Sequence, residues 1–272
     1  MFLWSLLALS LILLSVKRVS LGIFILYSVI FGAIYQGILE ISTLFFILFI
    51  SCLLYLYKNK HWKWLEGILV IFCFLLYFHH IAGFNNPMIL SQVKVSENSA
   101  NFNLYYNLDK ALIPFILFPL IPNLFSCEPK ITASKIKWGV LILSPSLLLM
   151  LASLVGSLKV EFHIPTWLPY FILSNLFFVS LVEESLFRGY LQQRLQAKIG
   201  SYPAVFVSAI IFALSHYGYT NGNIFFMLFI GLAGIIYSLA WLWSGKVWVS
   251  TFIHFGLNLT HLLFFTYPYL VR

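Results

Sequence analysis

The sequence predicts an all-α fold, a polytopic transmembrane helix bundle of about 8–10 spans. Three observations predict it. Of 272 residues, 61% are hydrophobic and only 9% charged, against about 25% charged in an ordinary water-soluble domain. The 28 Phe, 15 Tyr and 8 Trp sit inside long apolar runs. Those runs are punctuated at intervals close to the roughly 20 residues that a helix needs to cross a bilayer. With 16 Lys+Arg and 8 Asp+Glu, a soluble globule could not cover its surface, so lipid is the partner this composition fits. A single membrane domain over 1–272 follows from the length.

Charged, Pro, Gly or Asn punctuation places spans near 2–16, 19–39, 41–57, 64–82, 107–125, 138–158, 167–190, 201–217, 223–243 and 247–266. The run from Met1 to Val16 has Lys17 and Arg18 after its apolar stretch, the reverse of a signal peptide, so it reads as a retained first span. Only Glu40 divides the second span from the third, and a long hairpin or one re-entrant segment fits the same residues. Gly83 to Asn107, with Asn85-Asn86-Pro87 and Glu97-Asn98, reads as an extramembrane loop. Gln192 to Lys198 is polar enough to carry the seventh helix past 190 and out of the membrane. No internal repeat is visible.

Alternating these spans across a bilayer collects Lys17, Arg18, Lys58, Lys60, Lys63, Lys130, Lys135, Lys137, Arg188, Arg194, Lys198 and Lys246 on one side, 12 of the 16 basic residues. Lys94, Lys110, Lys159 and Arg272 fall on the other. The bias expects the basic connections to be cytoplasmic, with both termini outside, in a multi-pass protein of the cell membrane. The net charge of +8 is then an orientation signal, and nucleic acid, which needs a basic face with exposed stacking aromatics, is excluded as a partner. Cys52, Cys73 and Cys127 have neither CxxC spacing nor a secretory pattern and read as packing residues.

An ionisable residue inside a span costs about 2.5–3.5 kcal/mol on insertion scales and calls for a partner or a purpose. Glu40, Glu66, Glu97, Asp109, Glu128 and Glu161 lie at loops or span ends; Glu183 and Glu184 continue an apolar run. Glu184 and Arg188 stand at i,i+4 and can pair on one helix face, which leaves Glu183 about 100° around the helix without that partner. Taken alone, the pair also suits a helix end with an interfacial ion pair.

Histidines in later spans shift that balance. His216 ends Phe212-Ala-Leu-Ser-His216, and His254 and Asn258 share a face at i,i+4. His79, His80 and His261 read as core residues, whereas His61 and His163 sit in polar connections. Glu183 lies 17 residues before Gly200 and His216 lies 16 after it, so an antiparallel hairpin turning at Gly200-Ser201 brings both to about 24–26 Å from the turn. A carboxylate beside an imidazole can activate water, and a second His with an Asn can stabilise an oxyanion. These are the parts of a hydrolase. An aspartyl dyad lacks its second Asp, and neither HExxH nor GxSxG occurs; Ser185 and Ser215 have no supporting pattern.

Three ordered motifs carry a family resemblance: Glu183-Glu184-Ser-Leu-Phe-Arg188, Phe212-Ala-Leu-Ser-His216 and His254-Phe-Gly-Leu-Asn258. Over 165–265 the chain resembles the CAAX protease and bacteriocin-processing (CPBP, or ABI) family of glutamate intramembrane proteases, which includes the type II CAAX prenyl endopeptidases. Residues 1–160 carry no recognisable motif. The resemblance implies a helix bundle with a water-filled cavity and cofactor-free peptide-bond hydrolysis. In it Glu183 and His216 would activate water, His254 and Asn258 would stabilise the oxyanion, and Glu184 and Arg188 would support the site. Known members process prenylated C-termini or leader peptides; others serve in bacteriocin immunity or as scaffolds. The expected partners are the bilayer and a peptide or protein substrate, lipidated in the prenyl-processing case. Two other readings remain open here: a non-catalytic membrane interaction protein, and a metal-dependent hydrolase using one Glu and two His.

Overall fold

The computed structural model describes residues 1–60, 62–218, 220 and 222–271. His61 and Arg272 lie outside the described residues.

Apolar runs without internal breakers fold as helices, and turns fall where polar or glycine residues interrupt them. Helices α1 (Phe2–Ser15) and α2 (Val19–Tyr35) form a tight pair. Gly22 lets them close, because a Cβ there would lie 3.1 Å from the Ser10 carbonyl oxygen. Helices α3 (Thr43–Lys60) and α4 (Trp64–Tyr77) follow, so the segment around Glu40 joins two separate helices. The polar stretch after α4 is not simply a loop: β1 (Met88–Val93) pairs antiparallel with β2 (Phe102–Tyr105), with Met88 opposite Tyr105 and Val93 opposite Phe102.

The expected span at 107–125 takes another form. It holds two short helices, α5 (Leu108–Ala111) and α6 (Ile113–Leu117), followed by irregular chain through Phe125. Pro114 near the start and Pro119 and Pro122 beyond remove the backbone donors that a continuous helix needs. Helix α7 (Lys135–Leu154) is capped by Ser134, whose side chain accepts from the Lys137 backbone N–H.

Helix α8 runs unbroken from Leu168 to Ile199, 32 residues, past the boundary at 190 in the direction that Gln192–Lys198 suggests. Two stretches of it, Ser174–Ser180 and Ser185–Gln192, are wound as π-helix. Between them lies one α turn, Leu181–Glu184, bearing both glutamates. Such widened turns re-aim side chains and are frequent at functional sites. Helix α9 (Ser201–Ser215) returns after Gly200, whose φ of +85° needs glycine. Helices α10 (Ile224–Ser244) and α11 (Val247–Phe264) complete the bundle.

Helices α3, α7, α8, α10 and α11 are long and apolar enough to cross a membrane, and α1, α2, α4 and α9 are shorter apolar helices. Their burial differs sharply. Within its most apolar window α8 is 67% buried, against 17% for α3 and 22% for α7. Side chains such as Phe45 (77% exposed) and Ile136 (80%) face outward. In water such patches would drive association; in lipid they are matched by the acyl chains. The chain is a multi-pass membrane protein with α8 at its centre.

The two ends of the bundle are chemically distinct. At one end the Trp248 indole N–H donates to Ser15 Oγ (2.9 Å), Arg194 pairs with Glu66 (2.8 Å), and Cys127 N–H donates to the Gly245 carbonyl (2.8 Å). These ties gather the connections that carry Lys17, Arg18, Lys58, Lys60, Lys63, Lys130, Lys135, Lys137, Arg194, Lys198 and Lys246. At the other end Leu39 bridges to Phe84, Ser99 to Leu270 and Val160 to Phe265. That end carries Lys94, Lys110 and Lys159. Arg188 belongs to neither: it is fully buried, which corrects its assignment to the basic connections.

Candidate functional site

The α turn of α8 sends its two carboxylates in different directions. Glu184 is fully buried. Its Oε1 accepts from Arg188 Nη1 at 3.0 Å and lies 2.9 Å from His254 Nδ1. The Arg188 guanidinium also donates through Nη2 to the Gly234 carbonyl at 2.9 Å and lies 4.5 Å from the centre of the Phe212 ring. Arg188 thereby joins α8 to α10 and, through the Phe212 ring, to α9, a geometry that the planar guanidinium suits, while Glu184 ties in α11 through His254. Two glycines make room: a Cβ on Gly234 would lie 3.2 Å from Ala209 Cα, and one on Gly189 would lie 2.9 Å from the Leu124 carbonyl oxygen. The reading of Glu184 and Arg188 as an interfacial pair at a helix end fails here, because both sit inside the bundle.

Glu183, 3% exposed, faces the neighbouring helices α4 and α9. Its Oε1 accepts from the Tyr77 hydroxyl at 3.4 Å, and Oε2 lies 3.8 Å from His216 Nε2 with no hydrogen bond inside the protein. The hairpin at Gly200 does bring Glu183 and His216 to one height. His216 Nδ1 lies 2.8 Å from the Phe212 carbonyl oxygen. A carbonyl only accepts, so Nδ1 carries a proton, and in the neutral form of the ring the nitrogen facing Glu183 is an acceptor. Phe212 packs on the His216 ring at 4.6 Å between centres. The first residue of this motif thus holds the last in place by its backbone and its ring.

His254 stacks on Tyr237 at 4.4 Å, the rings 11° from parallel. Asn258 donates from Nδ2 to Asn175 Oδ1 at 3.2 Å, and Asn175 also accepts from Ser180 Oγ at 3.3 Å across a π turn. One N–H of the Asn258 amide remains for another acceptor. Glu183, His216, His254 and Asn258 all line one cavity of about 940 Å³, together with Tyr77 and Asn175. Glu184 and Arg188 stand behind that wall.

His79 and His261 line the same cavity, and His79 and His80 are exposed, which corrects their reading as core residues. His79 pairs with Asp109 at 2.6 Å, and His261 Nε2 lies 3.2 Å from the Thr266 carbonyl oxygen, so each is held by local structure. The imidazole and carboxylate donors of the centre fall into two pairs, Glu183 with His216 and Glu184 with His254. Among the described residues no group of three or more His, Cys, Asp or Glu is arranged to hold a metal ion.

Sequence reasoning missed Tyr77, Asn175, Tyr237 and Lys110, whose ammonium lies 4.4 Å from the centre of the Tyr77 ring. Asn175 was visible as an amide inside the seventh apolar run. Tyr77, Tyr237 and Lys110 carry no signal that separates them from other residues of their type.

The fold and site define a multi-pass membrane protein with a buried carboxylate and imidazole centre at the edge of a largely apolar cavity. Residues 165–260 match the family described as type II CAAX prenyl endopeptidase, Rce1-like, so the CPBP resemblance carried by the three motifs is borne out over that segment. No curated protein and no solved structure matches the chain.

Proposed function

We propose that this protein is an intramembrane endopeptidase of the glutamate type, hydrolysing a peptide bond of a membrane-associated protein. The observation that carries the reading is the Glu183–His216 pair at 3.8 Å on the cavity wall. That separation is too long for a direct hydrogen bond, yet one water can bond both atoms at about 2.8 Å. Glu183 Oε2 and the neutral His216 Nε2 both accept, so the water gives one O–H to each and turns a lone pair toward the cavity.

Attack on a peptide carbonyl forms the C–O bond as Glu183 takes the water proton. The free Asn258 N–H stabilises the resulting oxyanion. His254 joins it from Nε2 when the ring is doubly protonated, because its Nδ1 proton is directed to Glu184. Collapse breaks the C–N bond as the proton held by Glu183 passes to the departing amine, leaving a new carboxyl terminus. Glu184 and Arg188 orient His254. We place the end rich in Lys and Arg in the cytoplasm, following the bias of basic residues toward that side.

The test compares the termini of membrane proteins from cells carrying wild-type protein and Glu183→Ala. New termini that depend on Glu183 are expected. If none appear, and the biological effect survives in Glu183→Ala and His216→Ala, the protein acts without proteolysis.

A further inference from the structure

We propose that the end of the bundle rich in Lys and Arg carries a binding site for a phospholipid headgroup bearing both a phosphate and a primary ammonium, as phosphatidylethanolamine does. A second cavity, of about 420 Å³, lies there between the C-terminal turns of α8, the end of α10 and the proline-interrupted chain after α6. Its size falls within the range of about 300–1,000 Å³ typical of ligand sites, and it shares no lining residue with the cavity that holds Glu183.

The lining residues of this second cavity leave polar atoms without partners. Trp241 is 2% exposed, yet its indole N–H meets no acceptor in the protein. Arg194 directs Nη2 to Glu66 Oε1 at 2.8 Å and to the Leu120 carbonyl at 3.2 Å, while its Nε–H is buried and unpaired. Gln193 Oε1 is a buried acceptor, equally unpaired. Native proteins leave few buried polar groups in this state, because each one loses its hydration without a replacement. Two N–H donors and one acceptor around a single cavity call for a ligand that both accepts and donates.

Charge narrows the chemistry further. Glu66 neutralises Arg194, and the other charged lining residues, Lys130 and Glu128, are exposed, opposite in sign and without an ion-pair partner among the described residues. The C-terminal ends of α8 and α10 add partial negative charge. A simple anion would be drawn to Lys130 but opposed by Glu128 and the helix ends. A zwitterion suits all of them: its phosphate oxygens accept from Trp241 Nε1, Arg194 Nε and the Lys130 ammonium, and its own ammonium donates to Gln193 Oε1 and the Glu128 carboxylate.

Position favours a lipid as the source of this headgroup. Gln193 and Arg194 stand where α8 leaves its apolar run for the polar stretch Gln192–Lys198, the level at which pockets between membrane helices receive headgroups. The wall is already formed, since Cys127 N–H donates to the Gly245 carbonyl at 2.8 Å and Val247 N–H to the Phe125 carbonyl at 3.0 Å. Gly245, at φ +68°, supplies the left-handed turn that brings these strands of chain together. A headgroup bound here ties α8 to α10 through contacts that the protein alone does not make.

The test titrates the purified chain in detergent with phosphatidylethanolamine, phosphatidylcholine and phosphatidylglycerol of matched acyl chains, and reads bound lipid by native mass spectrometry. The choline ammonium has no N–H to donate, and the glycerol headgroup has no ammonium. Wild type is expected to bind phosphatidylethanolamine about tenfold more tightly than either, as loss of a hydrogen bond to a charged group implies. Trp241→Phe, which keeps an aromatic ring and removes the N–H, should weaken that binding about tenfold, and Lys130→Gln at the exposed rim about threefold. Equal affinity for the three lipids, or an affinity for phosphatidylethanolamine unchanged in both variants, overturns the proposal. If Trp241→Phe does not accumulate, Gln193→Leu takes its place beside Lys130→Gln with the same expectation. Displacement of the bound lipid by glycerophosphoethanolamine at equal concentration assigns the site to a soluble phosphodiester and overturns the lipid. Binding is read without a peptide substrate, so failure here leaves the peptidase reading intact.

Discussion

Arg188→Met removes the charge that neutralises Glu184 while keeping an unbranched side chain of similar length. Both partners are fully buried, so the substitution leaves a carboxylate in the bundle interior with only His254 beside it, 2.9 Å away. It also strips the Gly234 carbonyl of its donor. Breaking a buried pair on one side costs about 3–5 kcal/mol, most of it the penalty of the charge left behind. The pair itself is a weaker stabiliser, because both ions were desolvated to form it. Adding Glu184→Gln to Arg188→Met should therefore restore stability, by about 2 kcal/mol, within the range found for coupled neighbours. The amide oxygen of the glutamine can still accept from His254 Nδ1. The assay is denaturant unfolding in detergent micelles of wild type, both single variants and the double variant. A double variant no more stable than Arg188→Met would refute the argument that an unpaired buried charge dominates the cost.

Glu183→Gln keeps the contacts of the carboxylate, the amide oxygen facing Tyr77 and the amide N–H facing His216 Nε2, but cannot accept a proton from water; activity should fall about 10²–10⁴-fold, the range of general-base catalysis, with the unfolding midpoint little changed. Tyr77→Phe removes one weak 3.4 Å hydrogen bond to Glu183 and should lower kcat about 3–10-fold, as expected for a bond worth about 1 kcal/mol, without loss of protein in the membrane. At the hairpin end, hydrogen bonding from Ser96, together with Lys159 and Asn98, holds the Glu161 carboxyl below its ordinary value of 4.5. Such a group contributes stability in full above the ordinary value and loses it as pH falls through the depressed one. Unfolding followed from about pH 5 to pH 3 should show a loss that Glu161→Gln lacks.

Much of the bundle is legible in the chain because lipid imposes a simple rule: apolar runs of sufficient length become helices, and interruptions become connections. The runs at 138–158, 201–217, 223–243 and 247–266 each correspond to a helix within a few residues of those bounds. Exceptions arise where backbone chemistry overrides hydropathy. Three prolines break the run at 107–125, and the polar stretch after α4 pairs into a hairpin because β1 and β2 can satisfy each other's backbone groups. The π turns of α8 left no trace in composition, since they depend on what packs against the helix.

At the centre, the identity of the unusual residues was written in the chain: two adjacent glutamates continuing an apolar helix, an arginine one turn on, and two later histidines. Helical periodicity alone separates Glu183 from Glu184, and hairpin length alone levels Glu183 with His216. Spacing along one chain cannot say which histidine meets which glutamate, because that depends on the rotation of α9 and α11 about their own axes. Nor can it show that Tyr77, 106 residues before Glu183 in sequence, reaches the same carboxylate, or that Glu183, His216, His254 and Asn258 line one cavity. Those features were decided by packing between helices, where contacts join residues remote in sequence.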